Sequence, residues 1–481
     1  MSVCTRFVLA ILVTSLGSGF QHGYHIGVLN VPAKVLQKWI SHIKIHEEEA
    51  EEPKRKELSL LWSTAVATHS IGGILGSFMI GIFVDSLGRK QSLQFNNFIA
   101  LVAAPTMFFS KKAKSYKMLI MGRFIAGINS GLNMGLCQIY LSEISPDKIR
   151  GAVGSLYQFA ISCSILVSQI AGVFLGSEDN WPYIFLLPVI PALFQFFLLF
   201  FCPESPKFLI TQLRDRKALR ALMLLRSEQD AIDEFEMLKE EDSLAKQLRG
   251  FSLKQILRNQ VMSNVLSCCL VLNVAQQMCG KNALTYFSVE IMENMGLASS
   301  AVYSTIGMNI LSSIATLGAI LTVDNFGRRP LMKISLIGTI LTTFFLFISL
   351  YLAENVLHDL KYLSVGIVCL FHIFFSIGIG PIAVFITAEL FTNTNRTIAV
   401  ILATATNWSS NFIIGQAFLA LDVQNKSSFS VTLKKSFLER NRLLHVLGFP
   451  SLGHFFLLLH PPPLARNRKT QFDSNIQNVR H

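Results

Sequence analysis

Charge is scarce in this sequence. Asp, Glu, Lys and Arg make up 15% of 481 residues, where a soluble domain carries about 25%. That shortage excludes a string of soluble domains. Paired cysteines are missing as well. None of the eight Cys is spaced CxxC, and most lie in apolar runs (Cys137, Cys163, Cys202, Cys268, Cys269, Cys369). Neither a zinc site nor a disulfide framework follows from that pattern. No G-x-x-x-x-G-K-[ST] occurs, which argues against an ATP-driven pump. No cofactor and no metal are expected. A basic patch interleaved with aromatics is absent too, so the net charge of +12 is read as Lys and Arg gathered on cytoplasmic loops, with no nucleic-acid partner.

What the chain has is apolar length. Hydrophobic residues reach 51%, with 38 Phe, and mean hydropathy is +0.46. Eleven runs can each supply the ~20 residues of a spanning helix: 7–31, 59–84, 92–110, 118–141, 152–175, 183–202, 261–290, 300–323, 331–353, 362–388 and 397–421. The N-terminal run continues to about Pro32 without a small-x-small cleavage site, so it reads as the first span and not as a signal peptide. The fold class is therefore all-α and polytopic, with the lipid bilayer as its surroundings. Four segments follow: an N-terminal bundle over 1–202, a charged helical linker over 203–258, a second bundle over 259–422, and a tail over 423–481. The linker holds eleven Lys/Arg and ten Asp/Glu at helical spacing. Even-numbered loops carry more Lys and Arg than odd-numbered ones, which puts them and the N-terminus in the cytoplasm, with "KKAKSYK" at 111–117 dissenting.

The two bundles repeat a charge pattern. Asp85-Ser86-Leu87-Gly88-Arg89-Lys90 recurs as Asp324-Asn325-Phe326-Gly327-Arg328-Arg329, and Glu143 with Arg150 recurs as Glu389 with Arg396. Two such elements in register indicate parallel repeated halves. Carboxylates and guanidiniums at helix ends can latch the halves together and release as they rock.

These residues resemble the sugar porters of the major facilitator superfamily, and within it the animal facilitative glucose/fructose transporters. The resemblance is carried by "GRFIAGINSGL" (122–132), "YLSEISPDKIRGAVGSLYQ" (140–158), "PESPK" (203–207), "QQMCGKNALTYFS" (276–288), "DNFGRRP" (324–330), "GIGPIAVFITAELF" (378–391) and "NWSSNF" (407–412), and covers about residues 5 to 422. It implies two six-helix repeats joined by an intracellular helical linker, alternating access, and energy-free hexose transport at the plasma membrane. A small-molecule sugar is the implied substrate, and a homo-oligomer is left open. No clean twelfth span follows Asp422.

A hexose offers hydroxyls and a C–H face, so neutral amides and aromatics suit it. Position by position, the family's sugar ligands match Gln158, Gln276, Gln277 and Asn282. Gln21, Ser376 and Asn411 complete the expected binding set, with Gly280 and Gly378–Pro381 as bending points. The expected cytoplasmic gate comprises Asp85, Arg89, Glu143, Arg150, Glu204, Asp324, Arg328, Arg329, Glu389 and Arg396. The stretch "FQHGYHIG" (20–27) matches the family's span-one motif, whose Gln and Tyr line the outer path.

Departures from the family point three ways. Ser312, Ser376 and Val384 stand where the glucose branch has Asn, Glu and Trp, which favours fructose or mixed fructose/glucose handling. His25 occupies a place resembling the Asn of facilitators and the Asp of proton-coupled relatives, so a proton symporter is an alternative. The divergent tail supports a third reading, a non-transporting truncated isoform. Lys281 takes an apolar position; its ammonium is expected to snorkel into the vestibule, with recruitment of an organic anion as the other outcome.

Overall fold

The computed structural model describes residues 3–48, 55–247, 253–286, 288–294, 300–355, 360–391 and 393–424. The tail over 423–481, and with it the question of a twelfth span, lies outside the described residues save for its first two. Helices account for every regular element among them, and no strand occurs there. This is what a bilayer demands, since a lipid-facing backbone must satisfy its own hydrogen bonds.

The N-terminal bundle comprises α1 (Val3–Gly27), α2 (Ala33–Glu48), α3 (Arg55–Leu87), α4 (Arg89–Phe109), α5 (Tyr116–Ile144), α6 (Arg150–Leu175) and the sixth span. That sixth span is interrupted at Pro188, giving α7 (Trp181–Ile184) and α8 (Val189–Leu198). The charged linker forms α9 (Pro206–Thr211), α10 (Asp215–Leu225), α11 (Glu228–Gln247) and α12 (Leu253–Arg258). The seventh span is broken into α13 (Gln260–Met278), α14 (Lys281–Tyr286) and α15 (Ser288–Asn294). Then come α16 (Ala301–Phe326), α17 (Arg328–Asn355), the tenth span as α18 (Leu360–Ile377) and α19 (Ile379–Leu390), and α20 (Asn393–Gln424). Helix occupies most of the described part of each of the eleven expected runs, and eight of the described spans are long and apolar enough to cross a membrane. Large apolar side chains such as Phe78, Ile82, Phe174, Phe194 and Leu321 cover the outside, as a lipid solvent requires.

Backbone conformation explains the breaks. Gly280 has φ +89°, a left-handed turn that an L side chain resists, and the seventh span changes course there. Gly88 (φ +87°) and Gly327 (φ +83°) make the same turn after α3 and α16, so the repeated D-x-x-G-R is a repeated corner.

Within the N-terminal bundle α1 packs on α6 and α3 on α5; across the halves α3 meets α20 and α6 meets α16. The α3–α5 crossing depends on small residues. A Cβ at Gly127 would meet the His69 carbonyl oxygen, and one at Gly131 the Gly73 carbonyl oxygen. Without a hydrophobic drive between helices in lipid, such close backbone approach is what holds them. The linker docks beneath the first bundle: Arg226 donates to the Ile144 carbonyl (2.8 Å) and pairs with Glu234 at 3.0 Å.

Gly131→Ala is expected to destabilise the protein by about 1–3 kcal/mol, the usual cost of overpacking against something that cannot yield. Gly307→Ala, where an added Cβ meets nothing within 4 Å, is the control and is expected to leave the melting temperature in detergent unchanged or slightly raised. Equal melting of the two variants would contradict the packing account.

Candidate functional site

Between the halves lies a cavity of about 520 Å³, its open mouth included. On one side stand His22 and Ile26 of α1, Met134 of α5, and Tyr157, Gln158, Ile161 and Ile165 of α6. On the other stand Gln276, Gln277, Lys281 and Asn282 of the broken seventh span, Phe375 and Val384 of the tenth, and Asn407, Trp408 and Asn411 of α20. Six apolar side chains and six carboxamides make up most of this wall. Among the described residues no Asp or Glu lines it.

The amides are wired to one another. Asn407 Nδ2 donates to Gln276 Oε1 (2.6 Å) and to Asn273 Oδ1 (3.0 Å). Gln277 Nε2 donates to Asn407 Oδ1 at 2.8 Å, and Asn282 Nδ2 donates to Gln277 Oε1 at 2.6 Å. Gln276 Nε2 donates to the Gly380 carbonyl (2.6 Å), tying the seventh span to the bend in the tenth. Tyr286 and Ser70 hydroxyls donate to Asn411 Oδ1 at 3.3 and 3.0 Å. This network fixes which lone pairs and N–H groups remain for a ligand. Gln158 faces the network from α6, and its carboxamide has no hydrogen-bond partner among the described residues. A neutral amide both donates and accepts, so the wall suits a ligand rich in hydroxyls. Trp408, with its ring 5.1 Å from that of His22, offers an aromatic face beside it.

Five of the seven residues expected to bind substrate therefore come together here: Gln158, Gln276, Gln277, Asn282 and Asn411. Two do not. Gln21 is fully buried inside the first bundle, where Nε2 donates to Asn97 (2.7 Å) and Gln195 (3.0 Å) and Oε1 accepts from Asn129 (3.1 Å). It does share a face with Tyr24, whose hydroxyl donates to the Ile184 carbonyl at 2.9 Å. That face packs into the bundle, and the residue one step on, His22, is the one that points into the cavity. Ser376 bonds Ser312 at 2.8 Å across α16 and α18, away from the wall. Gln169, on the face of Gln158 three turns on, accepts from Asn309 at 3.1 Å and bridges the halves instead. His22 and Tyr157 were not anticipated; their mutual bond of 2.8 Å pins the α1–α6 rim. Tyr157 directly precedes Gln158, and His22 sits inside the polar stretch of α1, so the signal was local but its direction was not.

At the end of the molecule that carries the linker, the repeated charges meet. Glu143 is buried with 1% side-chain exposure against Arg89 (2.8 Å) and Arg396 (3.7 Å), and Ser205 donates to it. Arg396 comes from the second half. In that half Arg328 pairs with Glu389 (2.9 Å) and Asp324 (2.8 Å). Asp324 also accepts from the backbone N–H groups of Gly151 (3.2 Å) and Ala152 (2.8 Å), capping the N-terminus of α6 in the opposite half. Arg150 pairs locally with Asp147 at 2.6 Å. Glu204 caps α4 by accepting from the Arg89 and Lys90 N–H groups at 3.0 and 3.1 Å. Burial pushes the Glu204 carboxyl up from its ordinary range, against those N–H groups and Arg89, which favour the charged form. Nearby, burial holds the Lys207 ammonium down to about 8. Asp85 and Arg329 are exposed, so the corner carboxylate closes the seam from the second half only.

The opposite end is also bridged. Asn30 of the loop after α1 donates to Ser288 (2.5 Å), and Lys34 pairs with Glu293 at 2.7 Å. Contacts between the halves thus occur at both ends of the molecule.

The family model described as "Sugar (and other) transporter" matches residues 10–434. The chain is 37% identical over 416 residues to solute carrier family 2, facilitated glucose transporter member 1 of Gallus gallus, covering 86% of this chain and 84% of that protein. It is 39% identical over 422 residues to facilitated glucose transporter member 4 of Homo sapiens, covering 86% and 82%. Among solved structures it is similar to the proton:xylose symporter XylE bound to 6-bromo-6-deoxy-D-glucose, with TM-score 0.79, 23% identity, and coverage of 93% of this chain and 96% of that one. That likeness establishes the major facilitator fold.

Glu143→Gln is expected to destabilise the protein by about 3–5 kcal/mol, because it leaves two buried guanidiniums without their counter-charge. A thermal melt in detergent checks this; an unchanged melt would mean that the cluster does not hold the halves together.

Proposed function

The chain belongs to the sugar (and other) transporter family, and from that premise we propose that it is a facilitative hexose uniporter working by alternating access. It is a multi-pass membrane protein and not an enzyme; no bond is made or broken. Sugar enters between α1 and α15 when Asn30 and Lys34 release Ser288 and Glu293. Gln158 from one half and Gln276, Gln277, Asn282 and Asn411 from the other hold its hydroxyls, and Trp408 packs its C–H face. The Gly280 turn and the bend before Gly380 let the seventh and tenth spans close over it. Release on the linker side follows when Arg396 leaves Glu143 and Asp324 leaves the α6 terminus. The excess of Lys and Arg on even loops supports a cytoplasmic N-terminus, and the plasma membrane is the proposed location.

The observation that carries this reading is the unpartnered Gln158 amide facing a wired set of amides across a charge-poor cavity. Val384 on that wall supports fructose as well as glucose, because a small side chain leaves room where the family's glucose branch has an indole. Uniport over proton symport is supported by the surroundings of His25. Arg123 donates to its carbonyl at 2.6 Å, and His69 (ring centroids 5.9 Å) and Tyr24 (6.2 Å) flank its ring. A guanidinium beside it opposes a second positive charge.

In proteoliposomes, labelled fructose and glucose are expected to show saturable counterflow, fructose the faster. Gln158→Leu is expected to raise KM about tenfold, the loss of roughly one good hydrogen bond. No counterflow of either sugar from folded, inserted protein would overturn the reading. Uptake is expected to stay flat from roughly pH 5.5 to 8, the range where a free His titrates. Acidification of the vesicle interior that accompanies sugar uptake and disappears in His25→Asn would instead establish proton coupling.

A further inference from the structure

Among the described residues one charged side chain lines the cavity, and none of them supplies it with a counter-charge. Lys281 opens α14 immediately after the Gly280 turn, with only 4% of its surface exposed. Its Nζ lies 5.4 Å from the centroid of Phe375, another wall residue. Among the described residues the ammonium has neither an ion-pair nor a hydrogen-bond partner, although the residue's carbonyl accepts from Thr285. The groups near enough to feel its charge are Cys279 and His372, neither of which supplies a negative charge as a thiol or an imidazole. His372 is itself fully buried, with both ring nitrogens unbonded. An ammonium buried without a counter-ion costs several kcal/mol. A protein that only had to bind neutral sugars would lose nothing by carrying an apolar residue here. The turn at Gly280 fixes the direction of the side chain, so it reaches the cavity and not the lipid.

We propose that this cavity accepts a sugar acid, a polyhydroxylated monocarboxylate whose carboxylate pairs with Lys281 while its hydroxyls take the amides of Gln158, Gln277 and Asn282. The inference rests on the transporter reading for the route through the protein, and it narrows the substrate class. A single ammonium matches a single negative charge. A phosphate ester carries about −1.5 to −2 at neutral pH and would need a second cation, and among the described residues no other Lys or Arg lines this wall. A carboxylate without hydroxyls would leave the amide row unused. Pairing in a site largely shielded from water strengthens the attraction and repays part of the cost of burying the ammonium.

The test is counterflow by the full chain in proteoliposomes, with D-gluconate, D-glucuronate, glucose 6-phosphate, L-lactate, D-glucose and D-fructose compared in one preparation. The expected result is that gluconate or glucuronate exchanges or competes, and that the phosphate ester and lactate do not. The ratio of sugar-acid to neutral-hexose affinity is expected to fall at least about tenfold in Lys281→Met and to be kept within a few-fold in Lys281→Arg. Ligand-induced thermal stabilisation in detergent gives the same ratio if a variant inserts poorly. Hexose exchange without competition by either acid overturns this proposal and leaves the hexose reading standing, as does an acid preference that survives in Lys281→Met. Neither exchange nor stabilisation by any of the compounds, with folded protein, overturns both.

Discussion

A polar group in a lipid-embedded bundle must find its partner inside the protein, because the solvent outside offers none. Every feature of this molecule follows from how that demand is met or left unmet. In the first bundle it is met locally: Gln21, Asn97, Asn129 and Gln195 satisfy one another and behave as core. At the linker end it is met across the seam, where Glu143 holds Arg89 and Arg396 and Asp324 holds the N-terminus of α6. In the central cavity it is only partly met. Gln158 and Lys281 keep unused hydrogen-bonding capacity there, and that residue of unmet demand is what a substrate can supply.

The seam explains how binding could become movement. The bridges at the two ends are of different kinds. The linker end has buried carboxylate–guanidinium pairs; the far end has Asn30 on Ser288 and the more exposed Lys34–Glu293 pair, which water screens and weakens. Neither set shares a residue with the cavity, yet the broken seventh span touches both the cavity, through Gln276 to Asn282, and the far bridge, through Ser288 and Glu293. A ligand that draws Asn282 inward acts on the same short helices that carry the outer contact. That is a physical connection between occupancy and access which requires no long-range signal.

Much of this was legible in the residues. Each of the eleven apolar runs falls on helix, eight of them long and apolar enough to cross a membrane, and the doubled D-x-x-G-R with E-x6-R announced two halves that meet through charge. The seventh-span amides could be named because they fall together in seven residues, Gln276 to Asn282. What failed was direction. Gln21 and Ser376 are polar residues on helices that touch the cavity, but a helix has several buried faces when neighbours surround it, and hydrophobic periodicity does not rank them. Gln21 faces α4, α5 and α8, and its neighbour His22 faces the cavity. Asp85 and Asp324 occupy equivalent corners, yet only Asp324 reaches a helix terminus in the other half. A repeat in sequence sets equivalent positions; the conformation the halves adopt decides which are engaged.

The most direct check on the central claim, that a sugar occupies this cavity between the halves, uses the indole on its wall. Trp408 is one of four Trp, so intrinsic fluorescence can be followed as D-fructose or D-glucose is titrated into purified protein. A saturable change that disappears in Trp408→Phe, while the sugar still raises the melting temperature of that variant, is the expected result. A saturable change that persists unaltered without Trp408, or sugar-induced stabilisation with no change at Trp408, would put the binding site elsewhere and contradict the account.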